Sequence, residues 1–367
     1  MHAVPFRAEQ VGSLLRPPEL VAVRVARAAG RVDLAELRAA EDDAIGQALR
    51  RQRDLGLDIL TDGELRRGSW LAELGDAVEG FTDGHVLLDW KGPGAAVEPT
   101  RARVVGGPLR QRRHLAAWEL PFLQQAAPGP FKVTLPAPSN FMFASYQPGV
   151  TDKVYATRAA LLDAVARILH DELAWLADEG VAYVQLDAPY YSHYLDARQR
   201  GLMKDSGVDP DEALETAIAG DNAALAGAGG DMFTALHICR GNNRSRWYTE
   251  GAYDAIAERL FATLDVNAFL LEFDDERSGG FEPLRLLPED KHAVLGLVTT
   301  KKPAIESPDE VRRRIDEASR FAPLERLALS TQCGFASTEA GNLLSEDDQW
   351  RKLAVVAEVA RKVWNND

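Results

Sequence analysis

Only two cysteines, Cys239 and Cys333, occur in 367 residues. Two thiols cannot build a disulfide framework, and such scarcity suits a reducing compartment in which a thiol serves as ligand or nucleophile. No apolar run approaches the roughly 20 residues that span a bilayer, and residues 1–7 hold no signal-peptide core. These absences lead to the expectation of a cytoplasmic protein with no membrane partner. Positive charge is short as well: Lys and Arg total 42 against 56 Asp and Glu, a net charge of −14. Nucleic acid is excluded as a partner on that ground, because phosphate binding needs a basic stripe. The one basic run, residues 110–113, reads as a solvated helix face. Repeats, low-complexity tracts and linkers are lacking too, so one catalytic domain over residues 1–367 is expected.

What is present is a rhythm. With 46% hydrophobic residues the chain can bury a large core. Short apolar runs at residues 9–15, 57–61, 131–135, 182–186, 233–239, 268–273, 293–300 and 327–331 read as eight strands, and helical spacing fills most of the gaps between them. Residues 80–107 break the rhythm with Gly, Pro and alternating segments, which predicts an inserted hairpin excursion. Ser307 with Pro308 marks one helix start, and Ser345 with Asp348 has the spacing of a capping box. Eight strands alternating with helices predict an α/β fold of the (β/α)8 TIM-barrel type, with a doubly wound open sheet as the other reading. Polar residues decide between them. Ser13, Glu64, Asp187, His237, Cys239, Glu272 and Cys333 all fall at or just past the carboxyl ends of predicted strands, where a barrel places its chemistry.

On a strand, His237 and Cys239 share a face, because side chains alternate with a period of two. Glu272 ends the sixth predicted strand and Cys333 follows the eighth. Imidazole, two thiolates and a carboxylate are together a donor set for Zn2+. So much negative charge makes the ion a poor activator of water. It suits instead a thiol substrate, which is expected to displace the weakest ligand, Glu272, lose its proton to the metal and stay an electron-rich nucleophile for alkyl transfer.

Gln10-Val11-Gly12-Ser13, Leu60-Thr61-Asp62-Gly63-Glu64, Val184-Gln185-Leu186-Asp187-Ala188-Pro189, His237-Ile238-Cys239, Leu271-Glu272 and Gln332-Cys333-Gly334 together resemble the cobalamin-independent methionine synthases. The likeness is to their catalytic carboxyl-terminal barrel and to short single-barrel relatives, and it spans nearly the whole chain. It implies zinc held by His237, Cys239, Glu272 and Cys333. It also implies a homocysteine grip in which Gly12 and Ser13 take the carboxylate while Glu64 and Asp187 take the ammonium. The expected reaction is methyl transfer to homocysteine, giving methionine. The donor is a methyl-folate, a small methylated compound or a methyl-corrinoid protein.

Departures from the family pattern bear on the donor. The long synthases have a second barrel that helps hold folate, and a Trp after the third strand that stacks on the pterin. Here that loop carries Phe141, Phe143 and Tyr146, which take the expected stacking role. Lys301 stands where the family has a proton-delivering histidine, so it is the expected catalytic acid, though an unperturbed lysine side chain, at about 10.4, is a poorer acid than histidine at neutral pH. His193 is a further loop residue that would face substrate, and Arg240, Asn242 and Asn243 would support the thiolates. Two other functions fit parts of the pattern: alkyl transfer from an epoxide to a thiol such as coenzyme M, and a binding scaffold with a structural zinc.

Overall fold

The computed structural model describes residues 6–227 and 232–364. Residues 1–5, which include His2 and most of the stretch read for a leader, lie outside them. An antiparallel hairpin comes first, β1 (Val78–Trp90) and β2 (Ala96–Gln111). Six parallel strands follow: β3 (Lys132–Pro136), β4 (Tyr183–Asp187), β5 (Phe233–Ile238), β6 (Ala268–Glu272), β7 (His292–Val298) and β8 (Leu327–Thr331). They pair in sequence order from β3 to β8, with helices between them.

The first two predicted strands are not regular strands. Residues 9–15 and 57–61 contain bends, at Gly12 and at Asp58 and Ile59, and close the ring through single parallel bridges, Ala8 to Leu329 of β8 and Leu60 to Phe131 beside β3. Asp58 N donates to Ala8 O at 2.9 Å and joins the two segments to each other. Side chains have taken the place of a ladder. The Asp58 carboxylate accepts from Arg7 N and Ala8 N at 2.6 and 2.9 Å, and Gln10 Nε2 donates to Thr61 Oγ1 at 2.7 Å. Every backbone group needs some partner, and here polar side chains supply it. The result is a closed (β/α)8 barrel of six regular strands and two bridged segments.

Its interior is filled by inward residues, among them Val11 and Ile59 of the two bridged segments and Ala235, Leu270, Val294 and Ala328 of β5 to β8. Near the amino-terminal end, buried Lys132 donates to Glu9 Oε2 at 2.5 Å and to Gln185 Oε1 at 2.7 Å, so the charge is neutralised where water is absent. Helix Leu34–Leu55 opens with a reciprocal capping box between Asp33 and Glu36, both bonds 2.8 Å. The expected box at the last helix forms as well, Asp348 N donating to Ser345 Oγ at 3.1 Å and Ser345 N to Asp348 Oδ2 at 3.0 Å. Among the described residues no helix is long and apolar enough to cross a membrane.

The excursion expected at 80–107 is the hairpin, which extends over residues 78–111. The basic run 110–113, expected on a helix, instead closes β2 and leads out of it. Period-two alternation explains how the hairpin lies. Val86, Leu88, Trp90 and Thr100 face a cleft at the barrel mouth, whereas Leu87 and Val97 face outward, 72% and 62% exposed. Lys91 N donates to Trp247 O at 2.6 Å and fastens the end of β1 to the loop after β5.

Candidate active site

β5 is buried from Thr234 onward, and its carboxyl end delivers His237, with Cys239 one residue beyond. Cys333 lies two residues past β8. One ring nitrogen of His237 and the two sulfurs lie within 4.8 Å of one another, and all three residues are buried. Neither imidazole nitrogen has a hydrogen-bond partner among the described residues. A buried polar side chain is rarely left so, and two thiols facing an orphaned imidazole are the donors a zinc ion prefers. The residues fit that metal. Their electrostatics point the same way: a hydrogen bond from Cys333 holds the Cys239 thiol well below its ordinary value, and Cys333, as the donor, is raised well above. Burial pulls His237 down, but the neighbouring Cys239, Asp187 and Glu272 outweigh it and raise it.

Glu272, expected as the fourth ligand, does not join this cluster. It is fully buried at the end of β6 with both oxygens engaged. Oε1 accepts from Arg277 Nε at 2.6 Å, and Oε2 accepts from Arg240 N and from Gln332 Nε2, each at 2.9 Å. Burial raises a carboxyl, but Arg277, Lys301 and Arg240 more than offset it and keep Glu272 below its ordinary value, ionised.

The cluster sits in a cleft of about 940 Å³, open mouth included, whose walls also carry Ser13, Glu64 and Asp187. Glu64 follows the segment 57–61 with a positive φ of 53°, a left-handed conformation that costs a non-glycine residue about 1–3 kcal/mol and that clusters at functional sites. The turn is held by Glu64 N donating to Asp62 Oδ1 at 2.9 Å, and by Arg16 Nη2 donating to Glu64 O at 3.1 Å. Oε1 accepts from Thr134 Oγ1 at 3.3 Å, while Oε2 is buried without a partner among the described residues. Asp187 Oδ1 accepts from Gln185 Nε2 at 2.7 Å, and burial pushes the Asp187 carboxyl up to about 7. Gly12 stands aside: a Cβ there would fall 2.7 Å from Glu64 Oε1. Gly12→Ala is therefore expected to displace the Glu64 carboxylate and raise KM for an amino-acid substrate about tenfold, with metal content unchanged; steady-state kinetics beside elemental analysis checks it.

Other expected site residues lie elsewhere. Phe141, Phe143 and Tyr146 do not line the cleft. Their loop folds into the short turns Pro138–Asn140 and Phe141–Ala144, which pack Phe141 on Phe81 of β1 at 6.0 Å and lay Arg158 over Phe143 and Tyr146. The aromatic wall comes instead from Trp70, Trp90, Tyr190 and Tyr248. The signal for Trp90 was present in the alternation of Val86, Leu88 and Trp90; Trp70 and Tyr248 carried no signal. Lys301 is neither in the cleft nor exposed. Its ammonium donates to Gly241 O at 2.8 Å, Asn242 Oδ1 at 3.1 Å and Arg246 O at 3.4 Å, so all three protons clamp the loop after Cys239. Asn242 passes that support on, its Nδ2 donating to Gly334 O at 2.7 Å beside Cys333. Asn243 accepts from Thr338 Oγ1 at 3.5 Å, and Arg240 stacks on Tyr253.

His193 is buried among Tyr190, Tyr248 and Phe143 rather than facing substrate. Burial lowers it to about 4, against 6.5 for a free histidine. The folded state thus prefers the neutral ring: its contribution is whole above pH 6.5 and is lost as pH falls from 6.5 toward 4. His193→Phe is expected to remove that liability, gaining up to about 3 kcal/mol on the wild type near pH 4 and little at pH 8, as denaturant titrations at the two pH values would show.

Comparison with known proteins agrees with the architecture. Residues 6–356 match the family described as the catalytic domain of cobalamin-independent synthase. The uncharacterized protein YxjH of Bacillus subtilis is 38% identical over 365 residues, 98% of this chain and 95% of that one. A methionine synthase of Thermococcus kodakarensis is 26% identical over 88% of this chain and 85% of its own length. A B12-independent methionine synthase from Shewanella sp. W3-18-1, solved in complex with selenomethionine, shares the fold with a TM-score of 0.76, 21% identity and coverage of 100% and 99%. Since the family match takes in the cleft, the His237, Cys239 and Cys333 cluster and all six regular strands, the chain belongs to the cobalamin-independent methionine synthase family, methyltransferases built on this barrel.

Proposed function

We propose that the protein is a zinc-dependent S-methyltransferase that methylates homocysteine to methionine. One observation carries the reading: His237, Cys239 and Cys333 converge within 4.8 Å on the wall of the cleft that also holds two acids and a serine. Zinc bound there supplies acidification of the substrate thiol, so that a thiolate persists at neutral pH. The rest falls to the chain. Ser13 donates its hydroxyl to the substrate carboxylate. Glu64, through its unpartnered Oε2, and Asp187 accept from the ammonium. With the amino-acid end fixed, the substrate sulfur is aimed at the donor methyl; a carbon–sulfur bond forms while the donor keeps the electron pair of the bond that breaks. The apolar wall of Val86, Leu88, Trp70 and Trp90 excludes water and receives the donor, whether a methyl-folate, a small methylated compound or a methyl-corrinoid protein. Glu64 and Asp187 argue against coenzyme M, whose sulfonate offers no cation. A zinc with three protein donors at a barrel mouth argues against a structural role, which closes with four.

The test is zinc content followed by zinc-edge X-ray absorption with homocysteine and with coenzyme M. Near-stoichiometric zinc that gains one sulfur with homocysteine supports the reading. Absence of zinc, or no new sulfur with homocysteine, overturns it.

A further inference from the structure

Two buried cations each reach one of the substrate acids through a single intermediary. On β3, Lys132 and Thr134 are two residues apart and share a face; on β4, Gln185 and Asp187 do the same, and the register sets Thr134 beside Gln185. The first chain runs from Glu9 to Lys132, on to Gln185 and up to Asp187, with bonds of 2.5, 2.7 and 2.7 Å. The second runs from Glu119 to Arg67, then to Thr134 and Glu64. Arg67 donates from Nε and Nη2 to Glu119 at 2.7 and 2.8 Å, and from Nη1 to Thr134 Oγ1 at 3.0 Å. That hydroxyl lies 3.3 Å from Glu64 Oε1. All eight residues are buried.

The cations settle which way each intermediary points. An ammonium and a guanidinium donate and never accept, so Gln185 must turn its Oε1 to Lys132, and Thr134 must turn a lone pair to Arg67. What remains on each is a donor. Gln185 Nε2 commits its two protons to Val11 O at 2.8 Å and to Asp187 Oδ1, and the single hydroxyl proton of Thr134 goes to Glu64 Oε1. Glu9 and Glu119 balance the cations where water is absent. Stability alone does not call for such chains, since apolar residues of similar volume would fill the same space without the desolvation of charge.

We propose that Lys132 and Arg67 are positioning residues for amino-acid recognition: through Gln185 and Thr134 each holds one oxygen of an acid, so that Asp187 and Glu64 present their second oxygens together to the substrate ammonium. The inference rests on the homocysteine reading above, in which those acids take that group. Two like charges in one cleft repel, and carboxylates free to rotate would turn apart. A donor fixed on one oxygen of each sets their rotation before substrate arrives, so that binding has fewer groups to order. Glu64 Oε2, buried without a partner among the described residues, is the oxygen this leaves open.

Isothermal titration calorimetry on purified, zinc-loaded full-length protein tests this without a methyl donor, with homocysteine and 4-mercaptobutyrate as probes. Thr134→Val removes the hydroxyl, keeps the shape and leaves Arg67 bonded to Glu119 and to the backbone carbonyl of residue 134. Its Kd for homocysteine should rise about tenfold, and that for 4-mercaptobutyrate, which has no ammonium, should stay within about twofold. Thr134→Ser restores the hydroxyl and should bind both thiols as the wild type does. In the other chain, Glu9→Gln with Lys132→Gln neutralises the pair together and frees the Gln185 amide to turn; the same selective loss is expected at unchanged zinc content. A merely structural role would weaken both thiols alike, or neither. Equal losses on the two thiols, an unchanged homocysteine Kd in Thr134→Val, or Thr134→Ser as weak as Thr134→Val each overturns the inference. If the double variant does not fold, the pair of substitutions at residue 134 decides alone. A wild type that binds the two thiols equally overturns the homocysteine reading and this inference with it; a wild type that prefers homocysteine, with the preference intact in Thr134→Val, overturns only this step.

Discussion

Cys333→Ser is expected to lose zinc and methyl transfer together, with activity down by about a thousandfold or more and zinc affinity by at least about a hundredfold. The serine is close in size, so the buried site 4% exposed in the wild type stays filled and the fold should survive. What changes is the donor. A hydroxyl does not ionise near neutral pH, and the hydrogen bond by which Cys333 lowers Cys239 is weakened as well. Two ligands then lose quality from one substitution. Elemental analysis of the purified variant, circular dichroism and a methyl-transfer assay decide the matter. Zinc and activity both retained would remove Cys333 from the site; activity lost with zinc retained would make it something other than a ligand.

Much of this site was legible because barrel chemistry follows a simple rule. Apolar runs at 182–186 and 233–239 could only be buried strands, and a polar residue at the carboxyl end of such a run faces the mouth. That placed Asp187, His237 and Cys239 without any contact information. Side-chain partners were not legible in the same way. Nothing in the spacing of Glu272 and Arg277 says whether the acid meets a metal or a guanidinium, since both demand a carboxylate at a strand end. Lys301 shows the same blindness: its position suggests an acid in the cleft, but carbonyl oxygens of residues 241 and 246, far away in sequence, bind it. Segments 9–15 and 57–61 have strand composition and run beside strands, but Asp58, Gln10 and Thr61 supply local partners that compete with a ladder. Residues 80–107 read as an alternating interruption, but alternation gives one buried face without saying what the face covers. Only the fold shows that it covers the cleft.

Glu64→Gln and Asp187→Asn are each expected to lower kcat/KM for homocysteine about a hundredfold while leaving zinc content intact. The two acids line one cleft from neighbouring parts of the ring, one after the segment 57–61 and one at the end of β4. Removing one partner of a buried charge pair costs about 2–5 kcal/mol, and a hundredfold loss lies within that range. Each amide is nearly isosteric and retains one carbonyl oxygen, so Thr134 can still donate to residue 64 and Gln185 to residue 187. The loss is therefore assigned to charge and not to collapse of the wall. A substrate without the amino group makes the assignment sharp. For 4-mercaptobutyrate the wild type should already be slow, and neither amide substitution should slow it further, because the ammonium that the acids recognise is gone. Equal losses on both thiols would show that Glu64 and Asp187 shape the site without gripping the ammonium, and the case for an amino-acid thiol would fall with them.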